Sequence, residues 1–214
     1  MANSFQLNQF LKQHSTKSSK HLISDQCVDL AGIYKDHIGL CIWTPPASEK
    51  RDLYAQQLAI ENFQFKQLVS VDNIHENLEY LPKRLGFKAM QKWITELIDV
   101  FATLFGLDQV GLRISSQKAP ICPRFHFDHV PARLIHSLYG DSCQWLDAPA
   151  FLQHENDSEV GIDIERQQSS QIKQAPSGSV VIMKGSKWKE DFQPVIHRSP
   201  MHNQARAVMT LDFA

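Results

Sequence analysis

Apolar side chains recur at three- and four-residue spacing through one long stretch, from Phe87 to Phe105. Met90, Trp93, Ile94, Leu97, Ile98, Phe101, Leu104 and Phe105 make a stripe that predicts a helix lying against a core. Gly106 stands where a left-handed C-terminal cap belongs. A second helix is predicted from Ser48–Asp52 onward, with Leu53, Leu58 and Ile60 as its buried positions. Ile38 to Trp43 is a short apolar run stopped by Pro45 and Pro46, and reads as a strand. Phe65 to Val71 reads as another, with Phe65, Gln67, Val69 and Val71 on one face and Leu68 on the other. Near the start, Phe5, Leu7, Phe10 and Leu11 fit a short amphipathic helix, and residues 14–20 form a polar connector.

Beyond Gly106 the helical period stops. Short runs follow at Val110–Ser115, Arg124–Val130, Arg133–Tyr139, Val160–Glu165, Ser179–Lys184, Pro194–His197 and Arg206–Phe213, with prolines and glycines between them. Short strands at this spacing predict a sandwich or barrel. The expected fold is mainly β with N-terminal α-helices packed outside a jelly-roll, cupin-like barrel. The expected organisation is one domain over 1–214: a peripheral segment 1–25, a supporting region 26–108, and a β-barrel core 109–214 that carries the site.

Composition narrows the classes. Apolar residues make up 43% and charged residues 21%, as in a globular chain with a sizeable core. Lys+Arg number 22 against Asp+Glu 23, and no basic run stands out, so neither nucleic acid nor an anionic membrane is an expected partner. The N-terminus lacks the apolar core of a signal peptide and no stretch is long enough to span a membrane, so the expected location is cytoplasmic. Cys27, Cys41, Cys122 and Cys143 form no C-x-x-C pair, which argues for buried free thiols. Cys122, four residues before His126, is the one nearest the candidate chemistry.

That chemistry centres on His126 and Asp128. On a strand, residues two apart share a face, so one imidazole and one carboxylate point the same way. His197, in a strand-like run far downstream, completes a 2-His-1-carboxylate set, which grips one divalent metal and leaves other positions open. An H-x-D alone is weak evidence in a chain with ten histidines, where a core histidine bonded to Asp128 is the plainer explanation. The order of the whole set is more specific: H-x-D, an apolar strand over residues 178–184, His197 in H-R-S-P, then Arg206 on the last β-run. Tyr139 shares a predicted face with Arg133, Ile135 and Ser137 and is a candidate carboxylate-binding hydroxyl. His129 and His136 are expected in supporting or surface roles, Arg198 pointing away from the metal, His202 in a loop, and Trp145 and Trp188 in packing.

In this order the segment from Arg124 to Phe213 resembles the double-stranded β-helix of Fe(II)/2-oxoglutarate-dependent dioxygenases. The resemblance implies Fe(II) on His126, Asp128 and His197, with 2-oxoglutarate as co-substrate whose far carboxylate meets Arg206. Some of those enzymes carry Ser or Thr two residues after the arginine; here that residue is Val208, leaving Thr210 as the nearby polar group. The sequence from Cys122 to Trp145, with K-G-S-K-W, H-R-S-P and T-L-D-F downstream, also closely resembles a bacterial domain-of-unknown-function family, number 1826. That resemblance implies a metal-handling GTPase as partner. The alternative to an oxygenase is a metal-binding protein, holding zinc or another metal, on the same cupin-like fold. A zinc hydrolase is a third reading, for which no spare Glu is evident as base. An inward Arg206 favours the oxygenase, since a metal carrier has no use for it. The substrate, small molecule or protein, is not written in the sequence.

Overall fold

The computed structural model describes residues 20–146, 172–190, 192–201 and 204–214. The expected helix around Phe5, the run Val160–Glu165 and His202 lie outside them.

A strand over Lys20–Ser24 (β1) precedes a 3₁₀ segment, Cys27–Tyr34. Ile38–Trp43 (β2) follows, then Glu49–Ile60 (α1) and Gln64–Ser70 (β3). A short helix, Ile74–Leu78 (α2), leads to the long one, Phe87–Phe105 (α3). The remaining strands are Gln109–Gln117 (β4), Ala132–Tyr139 (β5), Gln144–Leu146 (β6), Ile172–Gln174 (β7), Val180–Lys184 (β8), His197–Arg198 (β9) and Arg206–Phe213 (β10). No helix among the described residues is long and apolar enough to cross a membrane.

Among the described residues, seven strands form the main sheet, in the order β1-β2-β8-β5-β10-β4-β3, and three form a small one, β7-β6-β9. All neighbours in the main sheet are antiparallel except β1 and β2, which run parallel. The chain is mostly β, but two expectations change. Helices are interleaved with strands instead of grouped at the N-terminus, and β1–β3 join the same sheet as the strands after residue 108. The ladders leave two separate sheets among the described residues, tied near the site by an isolated bridge between His126 and His197. Hydrogen bonding therefore does not close a barrel there.

Both faces of the main sheet are covered. Leu112, Ile114, Leu134, Ile182, Met209 and Leu211 meet the α3 stripe (Trp93, Ile94, Leu97, Ile98, Phe101) in the larger core. Leu40, Ile42, Ile135, Val181, Met183 and Val208 turn the other way, against Cys143, Trp145 and Val195. This double burial is why β2 and β8 read as unbroken apolar runs. The edge strand β3 alternates and exposes Lys66 and Leu68.

Gly106 adopts φ 64° and its N–H bonds to the Ala102 carbonyl, the expected helix stop. In α1, Ser48 caps the Arg51 N–H, but the buried face is Tyr54, Ala55, Leu58 and Ala59. Leu53 and Ile60, expected inside, are 39% and 66% exposed. The alanines explain the difference: they bury easily against a sheet yet weigh little in an apolar pattern.

Candidate metal centre

The segment from Arg124 to Val130 is not a strand; only His126 pairs, in the bridge to His197. Pro123 and Pro131 bracket it and supply no N–H for a ladder. Two reciprocal bonds make the bridge: His126 N–H to the His197 carbonyl at 3.0 Å and His197 N–H to the His126 carbonyl at 2.8 Å. Asp128 is held from the other side by the turn after β8. There Gly185 N–H donates to the Pro131 carbonyl at 2.9 Å, Ser186 N–H to Asp128 at 2.9 Å and Lys187 N–H to Val130 at 3.2 Å. A Cβ on Gly185 would lie 2.2 Å from the Val130 carbonyl oxygen and 2.6 Å from that of Asp128. Only glycine allows this approach.

These supports bring His126, Asp128 and His197 together, with one ligand atom from each inside 4.8 Å of the others. Both imidazoles are oriented by backbone. His126 Nδ1 lies 2.9 Å from the Arg124 carbonyl and His197 Nδ1 lies 3.3 Å from that of Val195. A carbonyl only accepts, so each Nδ1 carries the proton and each Nε2 keeps its lone pair. His197 Nε2 stands 3.4 Å from Asp128 Oδ2, and His126 Nε2 stands 4.0 Å from Oδ1. Burial pushes His197 down to about 4, against the attraction of Asp128. For Asp128, burial acts to raise the pKa, but His197, Arg133 and His126 together hold it below the ordinary carboxylate value. Oδ1 is taken by Arg133 at 2.7 Å, while buried Oδ2 has no hydrogen-bond partner. Two imidazole lone pairs and one orphaned carboxylate oxygen converge, which is the donor set a divalent cation satisfies.

Arg133 carries no mark of a site residue in the sequence, yet it organises the carboxylate. Its Nε and Nη2 grip Asp212 at 2.5 and 3.0 Å while Nη1 holds Asp128. Burial works against its charge, and the two carboxylates more than offset that, so its pKa is raised. No local signal marks the trio, because Arg133 and Asp212 meet only through the register of β5 on β10.

A cavity of about 500 Å³ opens from His126 and His197 and runs to Arg206. Arg206 is 2% exposed and donates only to neutral oxygens: the Asp141 carbonyl (2.8 Å), Gln117 Oε1 (3.1 Å) and Ser137 Oγ (3.2 Å). Burial lowers its pKa, against the attraction of Cys143 and Asp141. Val208 and Thr210 share its side, as alternation predicts. Tyr139 does not line the cavity and is 37% exposed. A register shift between Ala207 and Val208 sets it opposite Ala207, so the alternation read from Ser137 does not carry on to it. His136 sits on the helix side of the sheet, with Nε2 accepting from Trp93 Nε1 (3.0 Å) and Nδ1 donating to the Ser179 carbonyl (3.0 Å). His129 bonds Ser186 Oγ at 2.9 Å outside the ligand cluster. Arg198, expected to point away, lines the cavity, stacked over Phe125 at 4.4 Å. Cys122 and Cys143 also line it, and burial is the main cause that raises both thiols, Cys143 to about 12.

The chain belongs to the family described as Protein of unknown function (DUF1826), whose profile matches residues 24–212. No curated protein matches it in sequence. The crystal structure of a dioxygenase for auxin oxidation (DAO) in rice is similar in fold, with a TM-score of 0.54 and 10% identity, covering 91% of this chain and 82% of that one. A full-length Neurospora crassa protein crystallised in complex with alpha-KG gives a TM-score of 0.46 at 8% identity, over 90% of this chain and 84% of that one.

Proposed function

We propose that this protein is an oxygenase of the Fe(II)/2-oxoglutarate type, built on the two halves of a double-stranded β-helix. The observation that carries the reading is the pairing of two unsatisfied sites in one cavity. At one end, Oδ2 of Asp128, with no hydrogen bond, and two Nε2 lone pairs converge; at the other, the hydrogen bonds that a buried guanidinium makes among the described residues all go to neutral oxygens. A buried cation without a counter-charge costs several kcal/mol, so an anion is its natural complement. The fold shared with the rice dioxygenase agrees with the reading.

His126, Asp128 and His197 would hold the iron. Bound there with its keto acid, Fe(II) supplies oxygen activation and the oxidation of a C–H bond. The chain supplies position. Backbone carbonyls fix both imidazole tautomers, Arg133 turns Oδ2 toward the metal, and Arg206 offers a planar fork for the far carboxylate. Val208, Ile135 and Cys143 form an apolar part of the wall of the same cavity.

Anaerobic addition of Fe(II) and 2-oxoglutarate should give the weak visible charge-transfer band of a chelated keto acid. Arg206→Gln should weaken that binding at least about tenfold, from roughly 1.5–3 kcal/mol per hydrogen bond to a charged group. Bound iron with no band, and no succinate formed on admitting oxygen, would leave a metal-binding protein without oxygenase activity.

A further inference from the structure

Among the described residues the cavity is lined by Lys66, Arg113, Arg133, Arg198 and Arg206 and by no Asp or Glu, although basic and acidic residues in the chain nearly balance at 22 and 23. Three of the five are committed. Arg133 is paired with Asp128 and Asp212, Arg198 donates to Gln144 Oε1 at 2.8 Å and covers Phe125, and Arg206 faces the co-substrate end.

Lys66 and Arg113 are different. They sit directly opposite one another in the β3–β4 ladder, so both side chains leave the sheet on its cavity side. Both are exposed, and neither has a hydrogen bond or ion pair with a described residue. Like charges across a ladder repel, and no hydrogen bond or ion pair with a described residue offsets this pair. On the far side of Arg113 the next position in register is Thr210, which also lines the cavity. The row Lys66–Arg113–Thr210 therefore presents an ammonium, a guanidinium fork and a hydroxyl side by side.

We propose that this row is the recognition site for an oxyanion, carboxylate or phosphate, on a small-molecule substrate. Its assignment to a substrate rests on the oxygenase reading above; the anion site itself rests on the row. The position separates it from the co-substrate. Arg206 lies four residues along β10 from Thr210, about 14 Å at roughly 3.4 Å per residue, and Lys66 is two strands aside from β10, roughly 10 Å at about 4.8 Å per strand. A five-carbon keto acid anchored at Arg206 and the metal does not reach Lys66. A second molecule, anchored by its anion here, would extend across the cavity toward His126 and His197. The chamber, about 500 Å³, is of the size that takes small-molecule ligands.

The test is a titration of the full chain at low ionic strength with inorganic phosphate and, separately, with acetate, followed by amide and arginine Nε NMR signals. Saturable shifts at Lys66, Arg113 and Thr210 are expected, and the tighter anion identifies the substrate's group. The double variant Lys66→Gln/Arg113→Gln should weaken that binding at least tenfold; both positions are exposed, so the fold should survive. Lys66→Arg should retain it, and Arg206→Gln should leave the affinity of this row unchanged. No saturable shift with either anion, or equal affinity in the double variant, overturns the proposal. The anaerobic absorption band on the same sample tests the oxygenase reading independently. Anion binding without the band keeps the site and rejects the oxygenase; the band without anion binding does the reverse.

Discussion

His136 and His197 lie on opposite sides of the main sheet. Both are buried, and burial holds both imidazoles down to about 4. Their surroundings differ in one respect. On the helix side, His136 has both ring nitrogens matched, one to the Trp93 indole and one to the Ser179 carbonyl. On the cavity side, His197 gives Nδ1 to a carbonyl and aims Nε2 at a carboxylate oxygen that has no hydrogen bond. A depressed pKa thus records burial in both places and identifies neither. The unmatched lone pair is what separates a ligand from a structural histidine.

Removing each imidazole in turn separates the two sites. His197→Ala, like His126→Ala or Asp128→Ala, should lower Fe(II) affinity more than about 100-fold, beyond the 10–100-fold of a supporting residue. His136→Ala should instead spare metal binding and cost about 2–4 kcal/mol of stability, through an unsatisfied indole and a cavity. Elemental analysis after dialysis and urea denaturation read the two effects. Metal retained by His197→Ala, or lost by His136→Ala, would end the distinction.

Next in size is Arg133→Gln, which removes the partner of Asp128 Oδ1. Metal affinity should fall about 10–100-fold. Arg133→Lys should restore only part of it, since an ammonium cannot reproduce the fork shared with Asp212. Full affinity in Arg133→Gln would mean that Asp128 is oriented by its loop alone. Gly185→Ala should follow, at roughly tenfold, because its Cβ would displace the Asp128–Val130 backbone. Trp93 fluorescence should stay unchanged in that variant, as the helix side is untouched.

A pH effect concerns both histidines together. Their folded pKa values of about 4 lie below the usual 6.5, so the stability that they contribute is complete above about pH 6.5. It is lost as pH falls toward 4, at no more than about 1.4 kcal/mol per pH unit for each group. The denaturation midpoint of metal-free protein should fall across that window, and His136→Gln should make the fall shallower. An identical slope in that variant would show that His136 takes up no extra proton on unfolding.

His126, Asp128, His197 and Arg206 were legible because type, order and spacing speak before any contact is known. The α3 stripe was legible because nineteen residues give the period room to repeat. What escaped depends on register. Arg133 meets Asp212 across 79 positions, and Tyr139 lies beyond a bulge that no composition announces. Gly185 looks like any turn glycine until the Asp128 backbone is laid against it. The H-x-D segment reads as a strand from alternation, yet two prolines leave it as a loop with a single bridge.

That bridge has a consequence for how the chain opens. His126 and His197 are the ends of a long chain loop, and two backbone bonds join the two residues themselves, with a third from Ser199 N–H to the Cys122 carbonyl beside them. A metal ion shared between them would act as a removable crosslink, offsetting the closure entropy of that loop in the folded state alone. Amide exchange at His126 and His197, and protease cutting between them, should therefore slow together when metal is added and return together when a chelator removes it.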